Sequence, residues 1–302
     1  NVESYAATLV KHQVTRATMR TLGHCLEMLN SDHGGLDGLL GEGSVQWCRA
    51  QLAAVDAKVR ASSISIGKVV EGRLRELQDI EARQARGERV LTGVPSGIAK
   101  LDDKIGGYQF EIVTLIGGRP RMGKSSVMMT AMRAATEAGM GAHSFSLEDA
   151  RSSHADRAVA NVANVSVTTA RQATMQRAEF AEFMRGCGIL KGRKRWRYDD
   201  RRGRTAPQLI EAWRREGEEN GTRIVAIDYV QRIRPTNPRA PKHEQLEQTV
   251  QDLADAAAED KIALLLGAQL SRGATTRPGG KPTPEDIKAS GANEEIVKCA
   301  LL

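Results

Sequence analysis

Between Glu111 and Leu270, short apolar runs alternate with longer stretches in which apolar residues recur every three or four positions. EIVTLIGG, AHSFSLE, RIVAIDY and IALLLGAQL are compact apolar runs of strand length, and the alternating RWRY lies between the second and third. The intervening stretches predict a helix from Gly123 to about Ala138, a helical region to about Gly186, a helix from Thr205 to about Glu219 and another over Leu246 to Ala258. Such alternation is the pattern of βαβ units around a central, mostly parallel sheet. Thr205 and Gln208 have capping-box spacing, with Leu209 and Trp213 one turn apart behind them. RWRYD reads as an edge strand whose charges point outward and discourage sheet-to-sheet association. The competing reading of KGRKRWRYDDRRGR is a nucleic-acid patch, because Trp196 and Tyr198 interrupt its basic residues. EEIVKCALL ends inside a further strand.

The first part of the chain has a different pattern. Apolar residues at helical spacing from Tyr5 to about Met28, and again around Val45 to Val59, flank the Gly-rich turn HGGLDGLLGEG and predict a small helical unit over residues 1–62. Residues 63–89 form a connector in which Val69, Val70, Leu74, Leu77 and Ile80 make one apolar stripe. That stripe fits a helix packed on its own domain or one docked on a neighbouring subunit. After the polar ARQARGER, the strand-and-helix domain occupies residues 90–302.

Composition narrows the function classes. A chain of 302 residues, 40% hydrophobic and 27% charged, suits one large and one smaller globular domain. The net charge of +7 is compatible with a polyanionic partner without requiring one. Four scattered cysteines form neither a CxxC pair nor a disulfide framework, and six histidines lack ligand spacing, so no metal held by thiols or imidazoles is expected. No apolar run reaches the length of a membrane helix, and the start has neither a signal-peptide core nor an initiator Met. The expected setting is cytoplasmic, with no membrane partner and with the chain trimmed at its ends.

The chemistry concentrates at strand ends. Gly118, Arg119, Pro120, Arg121, Met122, Gly123, Lys124 and Ser125 match GxxxxGK[ST] between an apolar strand and a helix, with Ser126 next in line. Backbone N–H groups at such a turn surround phosphate oxygens, Lys124 neutralises the terminal phosphates of ATP, and Ser125 ligates Mg2+. Asp228 closes the buried run RIVAID, where an acid is costly without a partner such as Mg2+. Glu148, after SFSL, is the candidate base for water activation, with Asp149 its rival. Gln269, after IALLLGA, offers a neutral amide that can report on the γ-phosphate. Arg272, Arg277 and Lys281 lie in a Gly- and Pro-rich loop suited to a nucleic-acid backbone.

These residues bring a family resemblance with them. TGVPSGIAKLDDKIGG, GGRPRMGKSS, FSLE, IVAIDYVQ, GAQLSRG and DIKASGANEE resemble, in this order, segments of the ATPase domain of DnaB-like replicative DNA helicases. The resemblance implies a RecA-like P-loop ATPase domain with a mostly parallel sheet, truncated at its C-terminal end and preceded by a partial helical domain and a linker helix. It implies an ATP- and Mg2+-dependent enzyme that encircles single-stranded DNA as a hexamer, moves 5′ to 3′, and meets a primase and a helicase loader in bacterial or viral replication. Carried over by position, Lys124 and Ser125 hold phosphate and Mg2+, Glu148 polarises water, Asp228 supports the metal and Gln269 senses nucleotide. Lys288 and Gly291 fall in a loop that touches DNA phosphates; Lys288 and Ala289 replace an Arg-Glu pair, which keeps a charge and loses bidentate geometry. The family's arginine finger would lie past Leu302. Two other classes remain open: a RecA-like ATPase of recombination or strand annealing, and an ATP-binding replication scaffold that does not translocate.

Overall fold

The computed structural model describes residues 65–119, 122–270 and 296–302. The chain divides into two compact units, Asn1–Arg89 and Val90–Leu302. The helical unit expected over residues 1–62 lies outside the described residues.

In the first unit, helix α1 spans Ile66–Ala85 and starts at Ser65, whose hydroxyl accepts from the Lys68 N–H at 3.4 Å. Ser at this position satisfies a helix-end donor that has no partner within the helix. Val69, Val70, Leu74 and Leu77 are all exposed along it, joined by Ile66. Surface ion pairs such as Arg73 with Glu76, at 2.9 Å, occupy other positions.

The second unit is a six-stranded sheet covered on both faces. Its elements are α2 (Ala99–Ile105), β1 (Val113–Gly118), α3 (Lys124–Glu137), β2 (Gly141–Ser146), α4 (Arg151–Ala163), α5 (Val167–Arg171), α6 (Arg177–Lys191), β3 (Trp196–Asp199), α7 (Ala206–Asn220), β4 (Thr222–Asp228), a 3-10 turn (Val230–Arg232), α8 (Lys242–Glu259), β5 (Ala263–Gln269) and β6 (Cys299–Leu301). The strand order is β3-β2-β4-β5-β1-β6, and every ladder is parallel. Among the described residues, no helix is long and apolar enough to cross a membrane.

Alternation along each strand divides the core into two layers. Val113, Leu115, Val225, Ile227, Leu264 and Leu266 face a cluster with Leu209, Trp213 and Leu253 from α7 and α8. Ile116, Ile224, Ala226 and Leu265 face the other way, onto Met128 and Met132 of α3. Strands buried on both faces read as continuous apolar runs, which is why their boundaries are visible in the sequence. Trp213 is 1% exposed, and its Nε1 donates to Asp260 Oδ2 at 2.8 Å, tying α7 to the end of α8. Trp213→Ala is therefore expected to cost about 3–5 kcal/mol of stability, measured by urea denaturation; a loss below about 1 kcal/mol would contradict this packing.

RWRYD does form an edge strand, with Arg197 paired to Glu216 at 3.2 Å. Trp196 turns inward and donates to Ser144 Oγ at 2.9 Å. Thr205 and Gln208 form the capping box at the start of α7. The single helical region expected after Glu148 is instead three helices. Asn164 ends α4 in the left-handed conformation, and Ser166 caps α5 through a 3.4 Å bond from the Thr169 N–H. Helix α8 also begins about one turn before Leu246, at Lys242.

Candidate nucleotide site

Parallel register places the chemistry-bearing residues along one edge of the sheet. Gly118 at the end of β1 lies beside Gln269 of β5, and Ser146 of β2 lies beside Asp228 of β4. The Leu147 N–H donates to the Asp228 carbonyl at 2.9 Å, so Glu148 follows directly from paired backbone. The carboxyl ends of parallel strands are where open α/β sheets form ligand crevices.

Gly123 begins α3 with φ +94°, a conformation that a side chain would strain. It directs the first turn of α3 back over the strand ends. Lys124 Nζ donates to the carbonyls of Gly118 and Arg119, at 2.9 and 3.2 Å. Ser125 Oγ donates to Asp228 Oδ2 at 2.5 Å, joining α3 to β4 across 103 positions of sequence. Met122 and Ser126 are exposed, whereas Pro120 and Arg121 lie outside the described residues.

Asp228 and Lys124 are held together at a partly dehydrated strand end. Burial pushes the Asp228 carboxyl above its ordinary range, opposed by the Ser125 hydrogen bond and the Lys124 charge. Burial likewise lowers the Lys124 ammonium, opposed by Asp228 and Glu148. Gly267 is also needed here, because a Cβ would lie 2.9 Å from the Met128 methyl and 3.1 Å from Asp228 Oδ1. A glycine inside the apolar run LLLGAQ is the sequence sign of such a close approach.

The two acids after β2 have different partners. Asp149 is gripped by both terminal nitrogens of Arg157 in a half-buried ion pair. Glu148 is exposed, with its carboxylate 4.0 Å from Arg232. Arg232 Nε donates to the Tyr229 hydroxyl at 3.0 Å, and Arg202 donates to the Glu148 carbonyl at 2.8 Å. Arg157, Arg202 and Arg232 did not emerge from sequence reasoning. They come from different elements, and no local motif marks them.

A nucleotide and a hard cation fit this donor set. The Ser125 hydroxyl and Asp228 carboxylate supply adjacent oxygens, as Mg2+ prefers, and Lys124 sits beside them. Among the described residues, no three His, Cys, Asp or Glu side chains form a metal cluster. Two protein oxygens leave room for water and phosphate oxygens, the usual way Mg2+ is held in phosphoryl-transfer sites. Gln269 is partly buried at its strand end, while Arg272, Arg277, Lys281, Lys288 and Gly291 lie outside the described residues.

The family model described as the DnaB-like helicase C terminal domain matches residues 93–299. The chain belongs to this family. It is 26% identical over 251 residues to the replicative DNA helicase DnaB of Helicobacter pylori, covering 81% of this chain and 51% of that protein. With the Treponema pallidum DnaB it shares 28% over 236 residues, covering 78% and 53%. The chain thus spans about half the length of these curated relatives. Among solved structures, it resembles an isolated ATPase domain with a TM-score of 0.71 at 23% identity, covering 79% and 83% of the two chains. A DnaB-like replicative helicase, described with its interactions with primase, matches with a TM-score of 0.69 at 20% identity, covering 99% and 68%. These two likenesses establish the RecA-like ATPase fold in the family's domain.

Asp228 carries a prediction about stability. The unfolded chain releases this proton near the ordinary value of 3.8, whereas the folded chain holds it to higher pH. The resulting stabilisation is complete below the unfolded pKa and is lost as pH rises through the folded one. At neutral pH the ionised acid therefore works against the empty fold. Asp228→Asn, which can still accept from Ser125, is expected to raise the nucleotide-free Tm at pH 7 by about 2–4 °C, the shift for about 1 kcal/mol in a domain of this size. Thermal melts from pH 5 to 8 check this; a lower Tm across that range would contradict it.

Proposed function

We propose that this chain is a subunit of an ATP-dependent replicative DNA helicase that moves 5′ to 3′ on single-stranded DNA as a hexameric ring. The observation that carries the reading is the Ser125–Asp228 contact at 2.5 Å, which joins the GxxxxGKS turn to the acid of a neighbouring strand. Membership of the DnaB-like family then favours DNA unwinding over recombination or passive scaffolding.

In this reading Gly118, Arg119, Pro120, Arg121, Met122, Gly123, Lys124, Ser125 and Ser126 form the phosphate turn, and Ser125 and Asp228 hold Mg2+. When bound, the cation neutralises phosphate charge and orients the phosphates. Lys124 exchanges its two carbonyl partners for phosphate oxygens. Glu148 accepts the proton of the attacking water, because its carboxylate is open whereas Asp149 is committed to Arg157. Gln269, beside Gly118 in register, reports phosphate occupancy to the segment that follows it. That segment, with Arg272, Arg277, Lys281, Lys288 and Gly291, grips the DNA backbone.

Residues 1–62 constitute part of a helical domain and residues 63–89 a linker. The exposed apolar stripe of α1 docks on an adjacent subunit, giving the ring its continuity. A primase and a helicase loader are the expected replication partners, by analogy with the helicase described with primase. The test is unwinding of duplexes with a single 5′ or 3′ tail, with and without ATP. ATP-dependent unwinding of only the 5′-tailed duplex is expected. ATP turnover without unwinding would favour another RecA-like activity, and no DNA-stimulated turnover would favour a scaffold.

A further inference from the structure

The turn between β3 and α7 borders an open groove of about 580 Å³, away from the GxxxxGKS turn and lined by Arg201, Arg202, Arg204, Gln208, Glu211 and Arg215. Its charge is one-sided. Arg201 and Arg204 share a single buried acid, Asp199, at 2.6 and 3.4 Å. Arg202 gives its hydrogen bond to a neutral carbonyl, and Arg215 has no carboxylate partner among the described residues. Arg204 is held below its ordinary value by burial first and then, against the pull of Asp199, by the charges of Arg201 and Arg215. An incoming anion would relieve this repulsion.

The shape selects among anions. A second depression of about 240 Å³ shares Arg201 and Arg215 and continues toward Arg197 and Arg151, so the basic residues form a band along the sheet edge. A band suits successive charges on one chain better than a small, compact anion. Among the described residues no aromatic side chain lines the arginine groove, so it offers guanidinium contacts without a surface on which bases could stack. Those features fit a sugar-phosphate backbone held without sequence preference. Arg202 adds a connection to the catalytic edge, since its guanidinium donates to the Glu148 carbonyl at 2.8 Å. A phosphate drawing on the same guanidinium would compete for that donor.

We infer that this groove is an additional seat for single-stranded DNA phosphates, and that Arg202 couples its occupancy to the placement of Glu148. The inference rests on the helicase reading and adds a contact surface outside the loops assigned to DNA above. Arg202 acts here as a positioning residue. The test uses the full chain with Mg2+ and a non-hydrolysable ATP analogue, titrated with fluorescent oligo(dT) over a range of salt concentrations. Arg215→Gln and Arg202→Gln should each flatten the slope of log affinity against log salt by about 0.7, the value for one phosphate contact on a single strand. Arg202→Lys, which keeps the charge, should restore the slope.

Steady-state ATP turnover with and without oligo(dT) separates coupling from simple binding. At saturating oligo(dT), Arg202→Gln should lower the stimulation ratio at least threefold, whereas a merely structural defect would lower both rates together. An unchanged salt slope in both Gln variants would overturn the seat while leaving the helicase reading intact. An unchanged stimulation ratio in Arg202→Gln would overturn the coupling. If the variants instead lose binding to poly(glutamate) and keep oligo(dT) binding, the groove serves an acidic protein surface and the DNA seat is wrong. Wild-type chain that fails to bind oligo(dT) would remove the helicase reading and the seat together.

Discussion

Lys124→Ala is expected to reduce ATP turnover by at least about 100-fold and to abolish ATP-dependent unwinding of a 5′-tailed duplex. The side chain lies directly beside both the phosphate turn and Asp228, and its ammonium is already partly dehydrated. A charge in such a site acts on phosphate far more strongly than one in open water. Alanine keeps the helix start, because Gly123 makes the turn and Ser125 still reaches Asp228. Loss of activity with an unchanged melting profile would therefore be chemical and not structural. Coupled ATPase and unwinding assays check the prediction, and normal unwinding by this variant would remove the mechanism.

Glu148→Gln is expected to retain ATP binding while turnover falls by about 100- to 10,000-fold, the range for loss of a general base. Gln preserves length and leaves the backbone carbonyl available to Arg202, so the principal loss is the proton acceptor. Equilibrium binding of a fluorescent ATP analogue should be close to wild type, with the defect confined to kcat. Asp149→Asn serves as the comparison. It breaks the half-buried pair with Arg157 and should affect thermal stability more than the chemical step. Normal hydrolysis by Glu148→Gln would transfer the base role to Asp149 or another acid.

What could be read from the sequence depended on whether a feature was local. The GxxxxGKS turn is contiguous, and its flanking strand and helix follow from an apolar run and from helical spacing. Asp228, Glu148 and Gln269 were recognisable because each terminates or follows an apolar strand. In a parallel sheet those ends come together by register. The edge position of RWRYD was legible for a similar reason, since its alternation differs from the continuous apolar runs of the central strands.

Features made by contacts between distant segments were not legible. Arg202 meets the Glu148 carbonyl across 54 positions, and Arg232 reaches the same residue after the β4 turn. Each resembles an ordinary solvated arginine in sequence. The breaks between α4, α5 and α6 had local signals that helical periodicity overrode: Asn164 suits a left-handed helix end, and Ser166 suits a helix start. Gly267 was visible as an interruption of an apolar run, but its purpose depends on the Asp228 carboxylate and the Met128 methyl packed against it.

The most direct measurement is a high-resolution structure of the chain with Mg2+ and a non-hydrolysable ATP analogue. Lys124 should have left the Gly118 and Arg119 carbonyls for phosphate oxygens, with the cation beside Ser125 and Asp228 and the Glu148 carboxylate facing the terminal phosphate. A nucleotide bound elsewhere, or Lys124 still closed onto those two carbonyls beneath it, would contradict the account.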